Sequence, residues 1–154
     1  MDLCDLLAQD GIIASLQATS KKHALQELAS IASERTGLDA REIFNTLLQR
    51  ERLGSTGLGR GIAIPHVKLA SLKRIFCLFA RLDEPVDYES HDSEPVDLIF
   101  LLLAPEHASG DHLKALASIS RVVRLPSVIE KLRSASDVPA LRSALTTMVP
   151  SHAA

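Results

Sequence analysis

Residues 48–66 of the chain have the sequence LQRERLGSTGLGRGIAIPH. Four of the eight residues in segment 54–61 are glycine, a density that indicates a loop. The apolar segment Ile62–His66 that follows predicts a short strand, and Pro65, which has no N–H to donate, marks the end or the edge of that strand. The stretch therefore predicts a glycine-rich loop that leads to a histidine at a strand end.

Two amphipathic helices are predicted before this stretch. Ser20 is placed to cap the first helix, and Gly37, which tolerates a left-handed backbone, ends it. Asp39 with Glu42 forms a capping box for the second helix, and Arg50 stands on the apolar side near its end. Apolar residues recur at the spacing of one helix face: Leu25, Leu28, Ala29 and Ala32 in the first helix, and Ile43 and Leu47 in the second.

Three further apolar segments predict strands. Ile12–Leu16 is short, whereas Arg74–Asp83 and Val96–Ala104 are rich in Ile, Phe, Leu and Val and indicate strands buried in a sheet. Glu84–Pro95, between the last two, is polar and contains two prolines. It therefore predicts a surface connection.

Three helices are predicted in the C-terminal third. The first begins near Ser109–Asp111 and places His112 on its apolar face, Ser127 caps a short second helix, and Asp137 opens the last. Strands that alternate with helices are typical of an α/β fold. We therefore expect a single α/β domain over residues 1–154, with a mixed β-sheet flanked by helices on both faces.

The composition excludes several classes of function. The 154 residues include 17 basic and 19 acidic side chains, a net charge of −2, so no basic surface for nucleic acid is indicated. Aromatic residues make up 3% of the chain, too few to stack bases. The longest apolar run, Val96–Pro105, is far shorter than the about 20 residues of a membrane helix, and no signal peptide is recognisable. We expect a cytoplasmic protein without membrane insertion.

The glycine-rich loop and His66 are candidates for binding and transferring an anionic group. Glycines let main-chain N–H groups approach an anion closely, although the residue order matches neither a Walker loop nor the nucleophile elbow of serine hydrolases. A histidine is a competent nucleophile when one ring nitrogen is neutral near pH 7. The alternatives are a plain mobile turn and a loop histidine without a chemical role, which position alone favours.

Arg50 and His112 are the other candidates. A guanidinium presents a planar fork of donors to phosphate oxygens, and a histidine in the first turn of a helix lies where anions are attracted. The alternatives are a solvated arginine at a helix end and a satisfied histidine at the edge of the core. No two histidines have the His-x-x-x-His spacing of zinc sites on helices, so the sequence supports neither a metal site nor a cofactor.

The pattern from Arg50 to His66, Arg-Glu-x-x-Gly-Ser-Thr-Gly-x-Gly-x-Gly-Ile-Ala-Ile-Pro-His, resembles the signature of a known family. It is similar to enzyme IIA domains of the bacterial phosphoenolpyruvate-dependent phosphotransferase system, of the mannitol/fructose type. A second stretch, from Pro95 to Leu113, is also similar, and with the flanking helices the resemblance covers nearly the whole chain. It implies a phosphocarrier with a mixed sheet flanked by helices.

The resemblance implies a role for each candidate residue. His66 corresponds to the histidine that accepts a phosphoryl group from phosphorylated HPr or its nitrogen-branch relative. Arg50 and His112 correspond to the flanking active-site residues, so that these three form the predicted catalytic set. The predicted phosphate-binding loop comprises Gly54, Ser55, Thr56, Gly57, Gly59 and Gly61. The implied reaction, phosphoryl transfer between protein histidines, requires no metal.

Within this family the chain most resembles the nitrogen-regulatory type, on the motif Gly-Ser-Thr-Gly and on the Pro-Val-Asp-Leu that precedes the later strand. The implied output is phosphorylation-dependent regulation of partner proteins. The alternatives are a sugar-specific IIA subunit, for fructose or mannitol, that passes phosphate to a separate IIB protein, and, more distantly, a metal-dependent hydrolase. Two residues depart from the pattern: Val67, expected to restrict the loop, and Arg60, expected to add positive charge beside the phosphate.

Overall fold

The computed structural model describes residues 3–107 and 109–146, and within them six strands form one mixed sheet. The strands are β1 (Leu7–Leu16), β2 (Gly57–Gly59), β3 (Ile62–Ala63), β4 (His66–Leu69), β5 (Phe76–Val86) and β6 (Val96–Pro105). Strand β5 is parallel to β1 and antiparallel to β6. Strands β3 and β4 both run parallel to β6, and β2 is antiparallel to β3.

Helices cover both faces of this sheet. They are α1 (Leu3–Leu6), α2 (Lys21–Thr36), α3 (Ala40–Arg52), α4 (Ser109–Val123), α5 (Pro126–Ser134) and α6 (Val138–Thr146). Helices α2 and α3 pack on one face, where they meet Leu101 of β6, and the others pack on the opposite face, where they meet Phe100. None of these described helices is long and apolar enough to cross a membrane. The predicted α/β fold is confirmed.

The predicted ends of α2 and α3 are also confirmed. The Ser20 side chain accepts a hydrogen bond from the backbone N–H of His23 at 3.0 Å, and Asp39 accepts one from Glu42 at 3.3 Å. Gly37 follows α2 with a φ of 80°, the left-handed conformation that glycine adopts without strain. Each contact lies within one turn of chain, which is why the local sequence predicts it.

Two predicted boundaries are wrong. Helix α5 begins at Pro126 rather than after a Ser127 cap, and Leu125 precedes it without a side-chain hydrogen bond. The fixed φ of proline suits the first helical position, so no polar cap is needed. Segment 54–61 is not all loop, because Gly57–Gly59 forms β2 through backbone pairing with β3, which requires no side chain.

The predicted strand Ile62–His66 is two strands interrupted at Pro65. Strand β3 ends at Ala63 and β4 begins at His66, and both pair with β6. Between them, the backbone N–H of Leu102 donates to the carbonyl of Pro65 at 3.0 Å, so the alignment continues past the proline. Strands β1 and β5 are longer than predicted, because backbone pairing extends beyond their apolar segments.

Candidate functional site

His66 stands at the start of β4 with one face of its ring open to a surface depression. Along this strand Val67 and Leu69 point into the core, while His66 and Lys68 point away from it. Nδ1 of His66 lies 2.7 Å from the carbonyl oxygen of Ile64. Because a carbonyl oxygen only accepts, Nδ1 carries the proton, and Nε2 of the neutral ring keeps its lone pair. The backbone thus holds the ring with its nucleophilic nitrogen away from the strand.

His112 lies in the first turn of α4 and faces His66. The centroids of the two rings are 5.8 Å apart, and their planes are tilted by 39°. Nε2 of His112 is buried and has no hydrogen-bond partner among the described residues. Burial lowers the pKa of His112, and the nearby charges of His66 and Lys68 lower it further. The His112 ring is therefore biased toward its neutral form, with one unused polar atom beside His66.

Arg50 approaches the same depression from the last turn of α3. Its Nη1 donates to the carbonyl oxygen of Gly54 at 2.9 Å. Within the described part of the chain the guanidinium makes no other hydrogen bond, so its remaining N–H groups are available to an anion. The side chain is half-buried, which weakens competition from water.

An open depression of about 570 Å³ joins the three predicted catalytic residues. Its lining consists of Thr46, Gln49, Arg50, Leu53, His66, Val67, Lys68 and His112. Two cationic side chains, a nucleophilic ring nitrogen and a second imidazole therefore face one space. This set suits a group that carries several negative oxygens and is transferred to nitrogen.

Lys68 is a candidate site residue that the sequence reasoning missed. It lies two residues after His66 on a strand, so the alternation of side chains puts both on the same side. Thr46 and Gln49 were also missed, although they lie four and one residues before Arg50 on the same helix. The strand period could have found Lys68 from His66, and the helix period could have found Thr46 from Arg50. Gln49 is adjacent to Arg50, and neighbouring residues of a helix do not share a face, so this signal does not identify it.

The predicted phosphate-binding loop meets the site at one point. Its first residue, Gly54, accepts the hydrogen bond from Arg50. None of the six residues of the predicted loop lines the depression: Gly54, Ser55, Thr56, Gly57, Gly59 and Gly61. Phosphate binding by this loop stays a prediction.

Two glycines of the loop have a packing reason in the structure. A Cβ added to Gly57 would overlap the hydroxyl of Ser90. At Gly61 the φ is 82°, and a Cβ would overlap the guanidinium of Arg133 and lie 2.8 Å from Oδ1 of Asp97. Such close approaches exclude larger residues. The glycines let the β2–β3 hairpin pack tightly against neighbouring segments.

The two departures from the family pattern do not disturb the site. Val67 is buried in β4, in extended backbone that any residue adopts. Arg60 occupies the hairpin turn with a φ of 58°, and its guanidinium donates to the carbonyl of Val123 at 2.6 Å. Arg60 does not line the depression, so its positive charge does not lie at this site as expected.

Other reactive side chains lie outside this arrangement. Cys77 is buried in β5, and burial raises the pKa of its thiol to about 12, so it is not a thiolate near neutral pH. Among the described residues, no three His, Cys, Asp or Glu side chains are grouped to hold a metal ion.

Comparison with known proteins gives this site a family. Residues 5–147 match the model described as phosphoenolpyruvate-dependent sugar phosphotransferase system, EIIA 2. The chain is 55% identical over 145 residues to a nitrogen regulatory protein of Bradyrhizobium diazoefficiens, covering 94% of this chain and 95% of that protein. It is 42% identical to a nitrogen regulatory protein of Pseudomonas aeruginosa, with 84% of each covered.

A solved structure agrees with these sequence relatives. Nitrogen regulatory protein IIA-Ntr from Neisseria meningitidis superimposes with a TM-score of 0.88 at 36% identity, over 94% of this chain and 99% of that one. The resemblance predicted from the signature is confirmed. The chain therefore belongs to the EIIA 2 family of the phosphoenolpyruvate-dependent sugar phosphotransferase system.

Proposed function

We propose that the chain is a phosphocarrier whose His66 accepts a phosphoryl group from a phosphorylated HPr-type protein. The observation that carries the proposal is the convergence of His66, Arg50 and His112 on one open depression, in a chain of a phosphotransferase-system family. The Nε2 lone pair of His66 forms a new P–N bond while the P–N bond of the donor breaks. The electron pair of the broken bond stays on the donor nitrogen.

The side chains around His66 stabilise the transferred group. In phosphoryl transfer negative charge spreads over the three equatorial oxygens, and catalysis consists of positioning and electrostatic stabilisation. Arg50 binds these oxygens through the N–H groups not used on Gly54, and Lys68 adds positive charge beside them. His112 donates to an oxygen through Nε2 in the tautomer that carries the proton there, an atom without a partner among the described residues.

The surroundings of the depression suit a protein donor. Leu53, which lines it, is 86% exposed, and Leu113, next to His112 in the chain, is 66% exposed. Large apolar side chains exposed beside a site favour contact with another protein. A phosphohistidine on a protein surface reaches His66 only if that surface docks, and these leucines provide the apolar contact.

The biological output is regulation by the phosphorylation state of His66. A phosphoryl group adds negative charge and strong acceptors to the docking surface, which changes the partners that bind there. The 55% identity to a protein named as a nitrogen regulatory protein supports this output. The second candidate, a sugar-specific IIA subunit that passes phosphate to a separate IIB protein, uses the same site and differs in the acceptor.

Labelling tests the phosphocarrier proposal. Incubation with phosphorylated HPr proteins of the general and the nitrogen branch should label the chain, and the label should be acid-labile and alkali-stable, as expected for phosphohistidine. His66→Ala should abolish the label, while His91→Ala, at an exposed histidine outside the depression, should keep it. Normal labelling of His66→Ala would show that the assignment is wrong.

Two further assays separate regulator from sugar carrier. Binding partners are captured with the unphosphorylated chain, the phosphorylated chain, His66→Ala and His66→Asp. A regulator shows partners that depend on phosphorylation, and identical partner sets in all four would contradict regulation. Rapid transfer of the label to a purified fructose or mannitol IIB protein would favour the sugar-specific function.

A further inference from the structure

A buried carboxylate lies directly after Arg50 at the end of α3. The side chain of Glu51 is 3% exposed, and its Oε1 is 3.0 Å from Nζ of Lys21. The hydroxyls of Thr56 and Tyr88 both donate to Oε2, the latter at 3.3 Å. Nζ of Lys21 also lies 4.7 Å from the centre of the Tyr88 ring. Both carboxylate oxygens of Glu51 are therefore used.

The contacts of Glu51 lead to the ring of His66 through three consecutive hydrogen bonds. The backbone N–H of Thr56 donates to Oε1 of Glu51 at 3.0 Å. The carbonyl of Thr56 accepts the N–H of Ile64 at 3.0 Å, and the carbonyl of Ile64 accepts Nδ1–H of His66 at 2.7 Å. Thr56 and Ile64 thus connect a buried charge to the atom that sets the tautomer of His66.

A second branch connects Glu51 to Arg50. The backbone N–H of Gly54 donates to the carbonyl of Glu51 at 3.1 Å, and the carbonyl of Gly54 accepts Nη1–H of Arg50 at 2.9 Å. The turn that follows α3 therefore holds the Arg50 side chain while the Glu51 side chain holds the next part of the loop. Two predicted catalytic residues are positioned from the same helix end.

Stability alone does not explain a charge at this place. A buried ion pair can be replaced by well-packed apolar side chains with little loss of stability, because desolvation offsets the attraction of the charges. An apolar side chain at position 51 would supply no acceptors for the N–H and hydroxyl of Thr56. The carboxylate therefore supplies geometry that packing cannot.

We propose that Glu51 is a positioning residue, which holds His66 through Thr56 and Ile64 with Nδ1–H on the backbone and Nε2 toward the incoming group. The inference rests on the proposed function of His66 as phosphoryl acceptor. It also assigns a role to the glycine-rich loop: through Thr56, the loop connects the Glu51 side chain of α3 to the backbone that precedes β4.

The test compares two substitutions at one position. Glu51→Met removes both acceptors at similar length, whereas Glu51→Gln keeps an acceptor for the Thr56 N–H and a polar group for its hydroxyl. The ¹⁵N shifts of the neutral His66 ring, recorded without a donor protein, report the tautomer. We expect the Nδ1–H tautomer in the wild type and in Glu51→Gln, and a mixture in Glu51→Met. The transfer rate should fall about 10- to 100-fold in Glu51→Met, as for other misplaced reacting groups.

Leu132→Ala is the control for a loss of stability. Leu132 is fully buried in α5, on the face of the sheet opposite Glu51, and does not line the depression. This variant should lower stability and leave the His66 ring spectrum unchanged. The proposal is overturned if folded Glu51→Met keeps the wild-type tautomer, if its tautomer changes without a loss of rate, or if Leu132→Ala shifts the ring spectrum equally.

A milder variant decides the matter if Glu51→Met does not fold. Thr56→Val removes one hydroxyl, keeps the branched side chain, and should shift the His66 tautomer and lower the rate in the same direction by less. A wild-type His66 tautomer together with a wild-type transfer rate in Thr56→Val would then overturn the positioning role. Because the ring spectrum needs no donor, its outcome is independent of labelling at His66, which tests the proposed function.

Discussion

The two helical walls of the His66 depression are built differently. Arg50 comes from α3, on one face of the sheet, and its neighbour Glu51 is bound to three other side chains. His112 comes from α4, on the opposite face, and its buried Nε2 has no partner among the described residues. One wall is held in place by internal hydrogen bonds, and the other keeps a polar atom unused.

This difference separates positioning from binding. Satisfied polar groups hold a single geometry, whereas a buried unpaired donor or acceptor costs about 1–3 kcal/mol of stability. Such a cost is compatible with function where a ligand supplies the missing partner. If His66 accepts a phosphoryl group as proposed, the α3 wall holds the reacting groups in place and the transferred group completes the α4 wall.

Removal of Arg50, which lies on the α3 wall of the depression, has the largest expected effect. Arg50→Ala should lower the rate of phosphoryl transfer about 10²- to 10³-fold, because a donor aimed at developing negative charge is lost. Stopped-flow or quench assays with a phosphorylated HPr-type donor measure this rate. Arg52→Ala is the matched control, at an exposed arginine outside the depression, and should transfer at the wild-type rate. Equal losses in the two variants would remove the distinction between the walls.

Replacement of His112 acts on the unused polar atom. His112→Leu should lower the transfer rate about 10- to 100-fold, the contribution of one hydrogen bond to a charged group. Its free energy of unfolding in urea should stay equal or rise by about 1 kcal/mol, since an unpaired buried nitrogen is removed. His112→Gln, which keeps a donor, should retain more of the rate. A marked loss of stability in His112→Leu would show that the α4 wall is also held by this residue.

The pH dependence of stability gives a smaller, independent signal from the same wall. The pKa of His112 is lowered in the folded chain by burial, His66 and Lys68. As pH falls below the ordinary histidine value of about 6.5, the unfolded chain takes up the proton first, so stability decreases. The free energy of unfolding, measured in urea, should therefore fall less in His112→Leu than in the wild type between pH 7.5 and 5.5, a range of about one pH unit either side of that value. Leu113→Gln, at a neighbouring position without a titratable group, should show the same fall as the wild type. An equal fall in the wild type and both variants would contradict the assignment of this pH dependence to His112.

Loss of Lys68 should give the smallest effect. Lys68→Ala should lower the transfer rate about three- to tenfold at low ionic strength and less at high salt, because an exposed charge acts mainly by attraction through solvent. Lys73→Ala, at an exposed lysine outside the depression, is the control. A salt-independent loss in Lys68→Ala would instead indicate direct contact with the transferred group and a larger role on the open side of the site.

The helix caps, the strand segments and the three predicted catalytic residues follow from local patterns and from the family signature. Ser20 and Asp39 act within one helical turn, so their roles need no knowledge of distant chain. The prediction was wrong for the start of α5 and for β2, where proline and backbone pairing replaced the expected side-chain signals. Glu51 escaped notice because two of its three partners, Lys21 and Tyr88, lie 30 residues before it and 37 residues after it.

The family signature along the chain suffices to predict His66 as the reactive group and Arg50 and His112 as its companions, and the structure brings the three to one depression. The signature does not show that α3 and α4 reach the same end of β4 from opposite faces, or that His66 presents Nε2 rather than Nδ1. The first depends on the pairing of β4 with β6, and the second on the backbone path between β3 and β4, which brings the carbonyl of Ile64 to Nδ1 of His66. A helix period or a cap is set by neighbours within a few residues, whereas the meeting of His66 with Arg50 and His112 is set by the packing of α3 and α4 against the sheet.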